Sequence, residues 1–391
     1  MCFLPHLLPS SRAVDFFLDC DRMEDLTGGL ASPGLRTHAL KCVNTLSGHH
    51  SGIRVIAVHH SRVFTGSYDN TIKVWDLDSG SCEATLEGHA AWIRSLFCSR
   101  ERLLFSGADD GMIKVWKADT HEHVQDILPP VIEQEEQAAA ANRGILAITL
   151  DYERSWLIAG SYDAHIYIWE HPSYTFLHLL SGHRSAVRSL VIYQGCLMSG
   201  SYDRTIKLWQ LDEPTTCVGS LGTRGSVWAL AVHGGMLIGA IGDSSIKVWR
   251  MDSWEQVATL SGHRGLVLAL ATHNGRLLSG SDDRCIRVWR LGSWECERIL
   301  TGHNGGVVGV CMVQGEHSTA PFCTTREPVR SPHLAAISSP IPPPPLPLRL
   351  LLRHPSSPLY TDPNTRAHRR RRIDAQIIER AQSLPPPLQA I

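Results

Sequence analysis

A chain of 391 residues with 43% hydrophobic residues, 19% charged residues and a formal net charge of −1 has the makeup of a folded protein, not of a polyelectrolyte. Its eleven cysteines, an odd number, include no C-x-x-C pair and no neighbouring His pair at zinc spacing, which argues against a disulfide framework or a metal knuckle. The near-neutral total conceals an asymmetry: residues 317–391 hold ten Arg against four Asp/Glu, net +6, which leaves −7 for residues 1–316.

The opening stretch Met1-Cys2-Phe3-Leu4-Pro5-His6-Leu7-Leu8-Pro9 lacks a basic region and carries prolines inside its apolar part, so it makes a poor secretory signal. No run reaches the ~18 apolar residues of a spanning helix. Together these predict a soluble intracellular protein, cytoplasmic and/or nuclear, with no membrane contact. Residues 1–36 read as a disordered N-terminal extension.

From residue 45 the pattern becomes regular. Gly48-His49 leads into β-rich segments at 53–58 and 63–67, a turn at Tyr68-Asp69-Asn70, and further segments at 71–76 and 81–86, after which Gly88-His89 starts again. Short strands broken by Gly/Asn/Asp turns predict a four-stranded antiparallel sheet. Six copies follow, closing at Trp75, Trp116, Trp169, Trp209, Trp249 and Trp289, spaced 41, 53, 40, 40 and 40 residues. Within one such strand Ile72 and Val74 point one way and Trp75 the other. A sheet apolar on both faces needs a neighbour on each side, and stacking round an axis supplies both while leaving only short edges. The prediction is all-β: a β-propeller of six recognisable blades spanning residues 37–315.

Three departures break the period. The 53-residue interval holds an insertion at 129–141, rich in helix formers after Pro129-Pro130 but too short to be a stable helix, and predicted to be a surface loop. Gly302-His303 opens a seventh unit with a strand at 307–313, but Cys323 then stands where Asp is due and Val329 where Trp is due. That predicts an incomplete seventh blade without its middle strands, with residues 42–46 supplying a fourth strand from the other end of the repeats. Residues 316–391 hold 15 of the 22 prolines and the run Arg369–Arg372. They read as a Pro/Arg-rich disordered tail replacing the rest of that blade. Aromatic-grooved modules that take Pro-rich ligands are one partner class for it, and nucleic acid, disfavoured here, is another.

The Gly-His, the turn Asp and the closing Trp resemble the WD-repeat family closely, and the spacing from Asp to Trp is six in Asp69, Asp110, Asp163, Asp203, Asp243 and Asp283. The resemblance implies a hydrogen-bonded structural set of His, Ser/Thr, Asp and Trp. His49/Asp69/Trp75, His89/Asp110/Trp116, His183/Asp203/Trp209 and His263/Asp283/Trp289 match it, with Thr65, Ser106, Ser199 and Ser279. Asn142 or Arg143 replaces the His in the third copy and Thr223 in the fifth, so those blades are expected to be looser. Four copies of Ser, His and Asp in one domain argue against a hydrolase triad, because catalysis needs one exposed nucleophile whereas a lock is needed in every blade. No enzyme activity, cofactor or metal is expected.

The resemblance also places the residue five beyond the Gly-His histidine at the mouth of the central channel: Arg54, Arg94, Ala147, Arg188, Trp228, Leu268 and Val308. The residue before the turn Asp, Tyr68, Tyr162 and Tyr202 among them, lies on the same rim. Guanidinium forks clamp carboxylate or phosphate, and aromatic rings anchor apolar neighbours. The expected function is a protein-interaction scaffold that binds an acidic or phosphorylated peptide through Arg54, Arg94, Arg188, Trp228, Tyr68, Tyr162 and Tyr202. This rim is similar to the phosphopeptide-reading propellers of F-box ubiquitin-ligase receptors, so a substrate adaptor of a ligase complex is one alternative. An RNA- or DNA-associated factor acting through the Arg-rich tail is another.

Overall fold

The computed structural model describes residues 13–17, 42–130, 143–212, 215–314 and 319–326, with the backbone alone at 13–17, 42–44, 312–314 and 319–326. All belong to one compact unit, Met1–Pro328. From residue 131 the insertion lies outside the described residues, as do Asn142, Val329, the proline runs and Arg369–Arg372.

Two strands precede the repeats, β1 (Ala13–Phe17) and β2 (Cys42–Ser47). Blade 1 is β3 (Ile53–His59), β4 (Arg62–Ser67), β5 (Ile72–Asp76) and β6 (Cys82–Leu86), and blade 2 is β7 (Ile93–Cys98), β8 (Leu103–Ala108), β9 (Ile113–Lys117) and β10 (His123–Ile127). Blade 3 comprises β11 (Ile145–Asp151), β12 (Trp156–Ser161), β13 (Ile166–Glu170) and β14 (Phe176–Leu180); blade 4 comprises β15 (Val187–Tyr193), β16 (Cys196–Ser201), β17 (Thr205–Gln210) and β18 (Thr216–Gly222). Blade 5 follows with β19 (Val227–His233), β20 (Met236–Ile241), β21 (Ile246–Arg250) and β22 (Gln256–Leu260), and blade 6 with β23 (Val267–His273), β24 (Arg276–Ser281), β25 (Ile286–Arg290) and β26 (Cys296–Leu300). Last come β27 (Gly306–Gln314) and β28 (Thr319–Arg326).

Each of the six blades is a four-stranded antiparallel sheet of consecutive strands, and a seventh four-stranded sheet runs β2-β1-β28-β27. The expectation that the seventh sheet lacks its middle strands is therefore corrected. β28 pairs with β27 and β1 pairs with β28, through registers such as Val310↔Cys323 and Asp15↔Cys323. Backbone hydrogen bonds need no particular side chain, so a strand forms here without the Asp and Trp that mark the other copies. β1 falls inside the segment read as an extension and β28 inside the segment read as a tail.

The first strands of successive sheets neighbour one another round a closed ring, from β3 to β7 and onward to β27, which returns to β3. The core is a series of inter-blade layers. Ile72 and Val74 pack with Leu104 and Trp116 of blade 2, while Trp75 packs with Leu46, Ile53 and Val63. The close approach depends on a glycine in the second strand: a Cβ at Gly200 would lie 2.5 Å from Val227 Cγ1 of the next blade, and one at Gly280 would lie 2.6 Å from Val307 Cγ1. In every one of the six blades the residue after the turn Asp is left-handed, as at Asn70 (φ 67°) and Arg204 (φ 67°).

Candidate functional site

Four hydrogen-bonded sets recur at corresponding positions. In blade 4, His183 Nδ1 lies 2.7 Å from Asp203 Oδ2, His183 Nε2 lies 2.7 Å from Ser199 Oγ, and Trp209 Nε1 donates to the same Oγ at 2.8 Å. Blades 1, 2 and 6 repeat it with His49–Asp69 at 2.9 Å, His89–Asp110 at 2.8 Å and His263–Asp283 at 2.8 Å, and with Trp75, Trp116 and Trp289 donating to Thr65, Ser106 and Ser279. The carboxylate only accepts, so Nδ1 carries the proton and Nε2 accepts from the hydroxyl. The hydroxyls are buried beneath Trp and His, and the four His side chains are at most 1% exposed. No substrate reaches such a hydroxyl, so these sets hold loops to strands.

Blades 3 and 5 differ from that plan and from each other. In blade 3, Ala159 stands opposite Tyr167, where the locked blades pair Ser or Thr with Lys or Arg. The Tyr167 hydroxyl donates to Asp163 Oδ2 at 2.6 Å, and the ring is fully buried. Blade 3 thus has a substitute lock that the motif search missed; a buried tyrosine between Ile166 and Ile168 was its visible signal. Among the described residues blade 5 has no comparable set: Asp243 holds Ser245, and Thr223 bonds to the carbonyls of Arg204 and Gly225.

Where the first strand of each blade begins, its pairing with the second strand skips one residue, as between Ile53 and Val55, Ile93 and Ser95, or Val187 and Ser189. The skipped residues are Arg54, Arg94, Leu146, Arg188, Trp228, Leu268 and Val308. The expected channel-mouth positions are therefore a ring of β-bulges, a device that re-aims a side chain out of the ladder. The register corrects one position: the blade 3 residue is Leu146, not Ala147. The residue before each turn Asp is tied beside its bulge, with the Tyr68 N–H donating to Gly52 O at 3.0 Å and the Tyr202 N–H to Ala186 O at 3.1 Å.

The geometry divides the predicted rim residues into two groups. Arg94 makes a bidentate pair with Asp109, Nε to Oδ1 at 2.7 Å and Nη2 to Oδ2 at 2.6 Å, and its guanidinium sits 5.5, 5.2 and 5.8 Å from the ring centroids of Tyr68, Trp92 and Tyr162. Arg54 and Arg188 have no carboxylate partner among the described residues. Arg188 Nη1 donates to Leu146 O at 3.2 Å, and Arg54 Nη1 is buried without a hydrogen-bond partner. Trp228 packs on Tyr202 at 5.0 Å, and its buried Nε1 is also unpartnered. The three arginines, equivalent by spacing, are therefore not equivalent in their partners.

A scan against protein families matches the WD domain, G-beta repeat, at residues 40–76, 80–117, 137–170, 174–210 and 254–290. The chain is a WD-repeat β-propeller. Among curated proteins it is similar to nuclear distribution protein PAC1 of Coccidioides posadasii (strain C735), 30% identical over 176 residues, covering 40% of this chain and 37% of the relative. It is similar to the human kinesin-like protein KIF21B, 30% identical over 190 residues, covering 44% of this chain and 12% of the relative. It is also similar to pre-mRNA-splicing factor PRP46 of Candida albicans (strain SC5314 / ATCC MYA-2876), 44% identical over 81 residues, covering 19% of this chain and 21% of the relative. The chain thus spans between 12% and 37% of these relatives' lengths.

The electrostatics of the propeller's mouth follow from the ring. Burial, then the guanidinium of Arg188, lower the pKa of Arg54 to about 9. These two cations stand on the bulges of blades 1 and 4. At Arg94 burial also opposes the charge, but the Asp109 carboxylate outweighs it and the pKa is raised. Among the described residues of the propeller no group of three or more His, Cys, Asp or Glu is placed to hold a metal ion, and no helix is long and apolar enough to cross a membrane.

Proposed function

We propose that this propeller is a non-catalytic protein-interaction scaffold whose channel mouth takes an acidic or phosphorylated segment of a partner. One observation carries the reading: Arg54, on the bulge of blade 1, is only 7% exposed with its Nη1 unpartnered, and neither it nor Arg188, on the bulge of blade 4, has a carboxylate partner among the described residues. A desolvated cation with no counter-charge is unfavourable unless an anion joins it. A carboxylate or phosphate supplies the missing charge and accepts from Arg54 Nη1. Arg94 is satisfied by Asp109, so it serves with Tyr68, Trp92 and Tyr162 as a rigid wall beside the anion, and Tyr202 with Trp228 forms another. Relatives named for nuclear distribution and pre-mRNA splicing support a cytoplasmic or nuclear setting.

The test is fluorescence anisotropy with a peptide carrying one phosphoserine and its serine counterpart. Binding of the phosphopeptide alone, abolished in Arg54→Met with Arg188→Met and largely kept in Arg94→Met with Asp109→Leu, is the expected result. Equal affinity for both peptides, or a double Arg54/Arg188 variant that binds like wild type, would refute the reading.

A further inference from the structure

Five exposed arginines occupy corresponding loop positions of blades 4 to 6: Arg184, Arg224 and Arg264 follow the Gly-His position or its Thr223 equivalent, and Arg204 and Arg284 follow the turn Asp of blades 4 and 6. In blades 1 and 2 the counterparts are His50, Ala90, Asn70 and Gly111; in blade 3 Ala164 follows the turn Asp, and Arg143, at or beside the other position, donates from Nη1 to Pro130 O at 3.2 Å. The five lie at the same end of the blades as the bulges. The backbone N–H groups of Arg184 and Arg264 donate to Asp203 and Asp283, whose preceding residues are tied beside the bulges. The Arg204 carbonyl accepts from the Thr223 N–H at 2.8 Å, which sets Arg204 beside the loop that carries Arg224. Among the described residues none of the five side chains makes an ion pair or a side-chain hydrogen bond. The nearest turn carboxylates, Asp203 and Asp283, are held by His183 and His263. Against these stand two exposed acids, Asp243, which holds Ser245, and Asp282, which already has a partner. Residues 1–316 carry a net −7, so this arc is a local concentration of positive charge on an acidic body.

From this arrangement we propose that the partner segment is acidic over an extended length, and that it runs outward from the mouth across blades 4 to 6 with its flanking charges on these five arginines. The inference rests on the channel-mouth reading and names the ligand class for it. Arg188, on the bulge of blade 4, joins mouth and arc. The described positions of blades 1 and 2 are uncharged or His, and Arg143 of blade 3 is held by Pro130 O, so the footprint is directional. An extended peptide that leaves the mouth one way fits such a footprint. Arginine suits repeated carboxylate or phosphate contacts because its planar fork offers paired donors.

The chain supplies mild replacements from its own blades: Ala at Arg184, Arg224 and Arg264, as at Ala90, and Asn at Arg204 and Arg284, as at the left-handed Asn70. The fivefold variant Arg184→Ala, Arg204→Asn, Arg224→Ala, Arg264→Ala, Arg284→Asn is compared with wild type in the full chain, with matched melting temperatures as the check on folding. The probes are a phosphoserine peptide with neutral flanks, the same peptide with a run of six Glu on one flank, and a dT12 oligonucleotide. Wild type is expected to bind the Glu-flanked peptide on the order of tenfold or more tighter than the neutral one, and the variant to lose that increment while binding the neutral peptide normally. An increment that survives in the variant overturns the proposal, as does wild-type preference for dT12. If the neutral-flanked peptide fails to bind while the Glu-flanked one binds in an arc-dependent way, the mouth reading falls and the arc stands. If neither peptide binds, both fall.

Discussion

Replacing Asp203 with Ala isolates the value of one lock, because blade 5 supplies an internal control. Asp203 accepts from His183 Nδ1 at 2.7 Å, from the Arg184 N–H at 2.9 Å, and from the Thr205 N–H and hydroxyl at 2.9 and 2.6 Å. Removing the carboxylate leaves the His183 Nδ1–H buried with the side chain 0% exposed, which costs about 1–3 kcal/mol. The loop N–H groups at 184 and 205 turn to water and add about 1 kcal/mol between them. The total of roughly 2–4 kcal/mol corresponds to a fall in melting temperature of roughly 3–7 °C for a unit of this size. Asp243, which holds Ser245, should cost under about 1 kcal/mol on the same scale. The assay is thermal unfolding of wild type, Asp203→Ala and Asp243→Ala, followed by near-ultraviolet circular dichroism because a tryptophan sits in each of the four His-containing locks. Equal melting of the two variants, or an Asp203→Ala protein that melts like wild type, would refute the reasoning.

Tyr167→Phe removes the 2.6 Å bond to Asp163, a carboxylate only 3% exposed, and should destabilise blade 3 by about 1–3 kcal/mol in chemical denaturation, although no motif marks the residue. Gly200→Val places atoms where a Cβ already lies 2.5 Å from Val227 Cγ1, so overpacking should destabilise by about 1–3 kcal/mol or more; an unchanged denaturation midpoint would contradict the close blade contact. Burial lowers the folded pKa of His183 and His263 below 6.5, so the stability tied to their neutral forms is complete above pH 6.5 and is lost as pH falls through the depressed values. Asp203 and Asp283, lowered from 3.8 by bonds from Thr205, backbone N–H groups and His that outweigh burial, add a second loss of the same sign below pH 3.8; denaturation midpoints measured from pH 8 to 3 should be level and then fall in two stages.

The period of 40 and the six-residue step from Asp to Trp made blades 1 to 6 legible, because each lock demands particular side chains at particular separations. β1 and β28 were not legible as partners. They join through backbone registers that many side chains satisfy, and β1 reaches β28 across some 300 residues of chain. The rim was legible as positions but not as electrostatics. Arg94 and Asp109 stand 15 residues apart, and only the bulge at Arg94 and the hairpin behind it turn them toward each other; Arg54 escapes such a partner because Tyr68 holds the equivalent site. The substitute lock in blade 3 needed knowledge that Ala159 faces Tyr167, a cross-strand fact that linear spacing does not contain.

The sheet that joins β2 and β1 to β28 and β27 sets a timetable for biogenesis. During translation the first two of these strands leave the ribosome long before their hydrogen-bonding partners exist. Their free edges must wait while six blades fold behind them, exposed to wrong pairing with any other strand nearby. Closure of this sheet therefore comes only after the six blades between its strands have been made, and ribosome-associated chaperones have most to protect at β1 and β2.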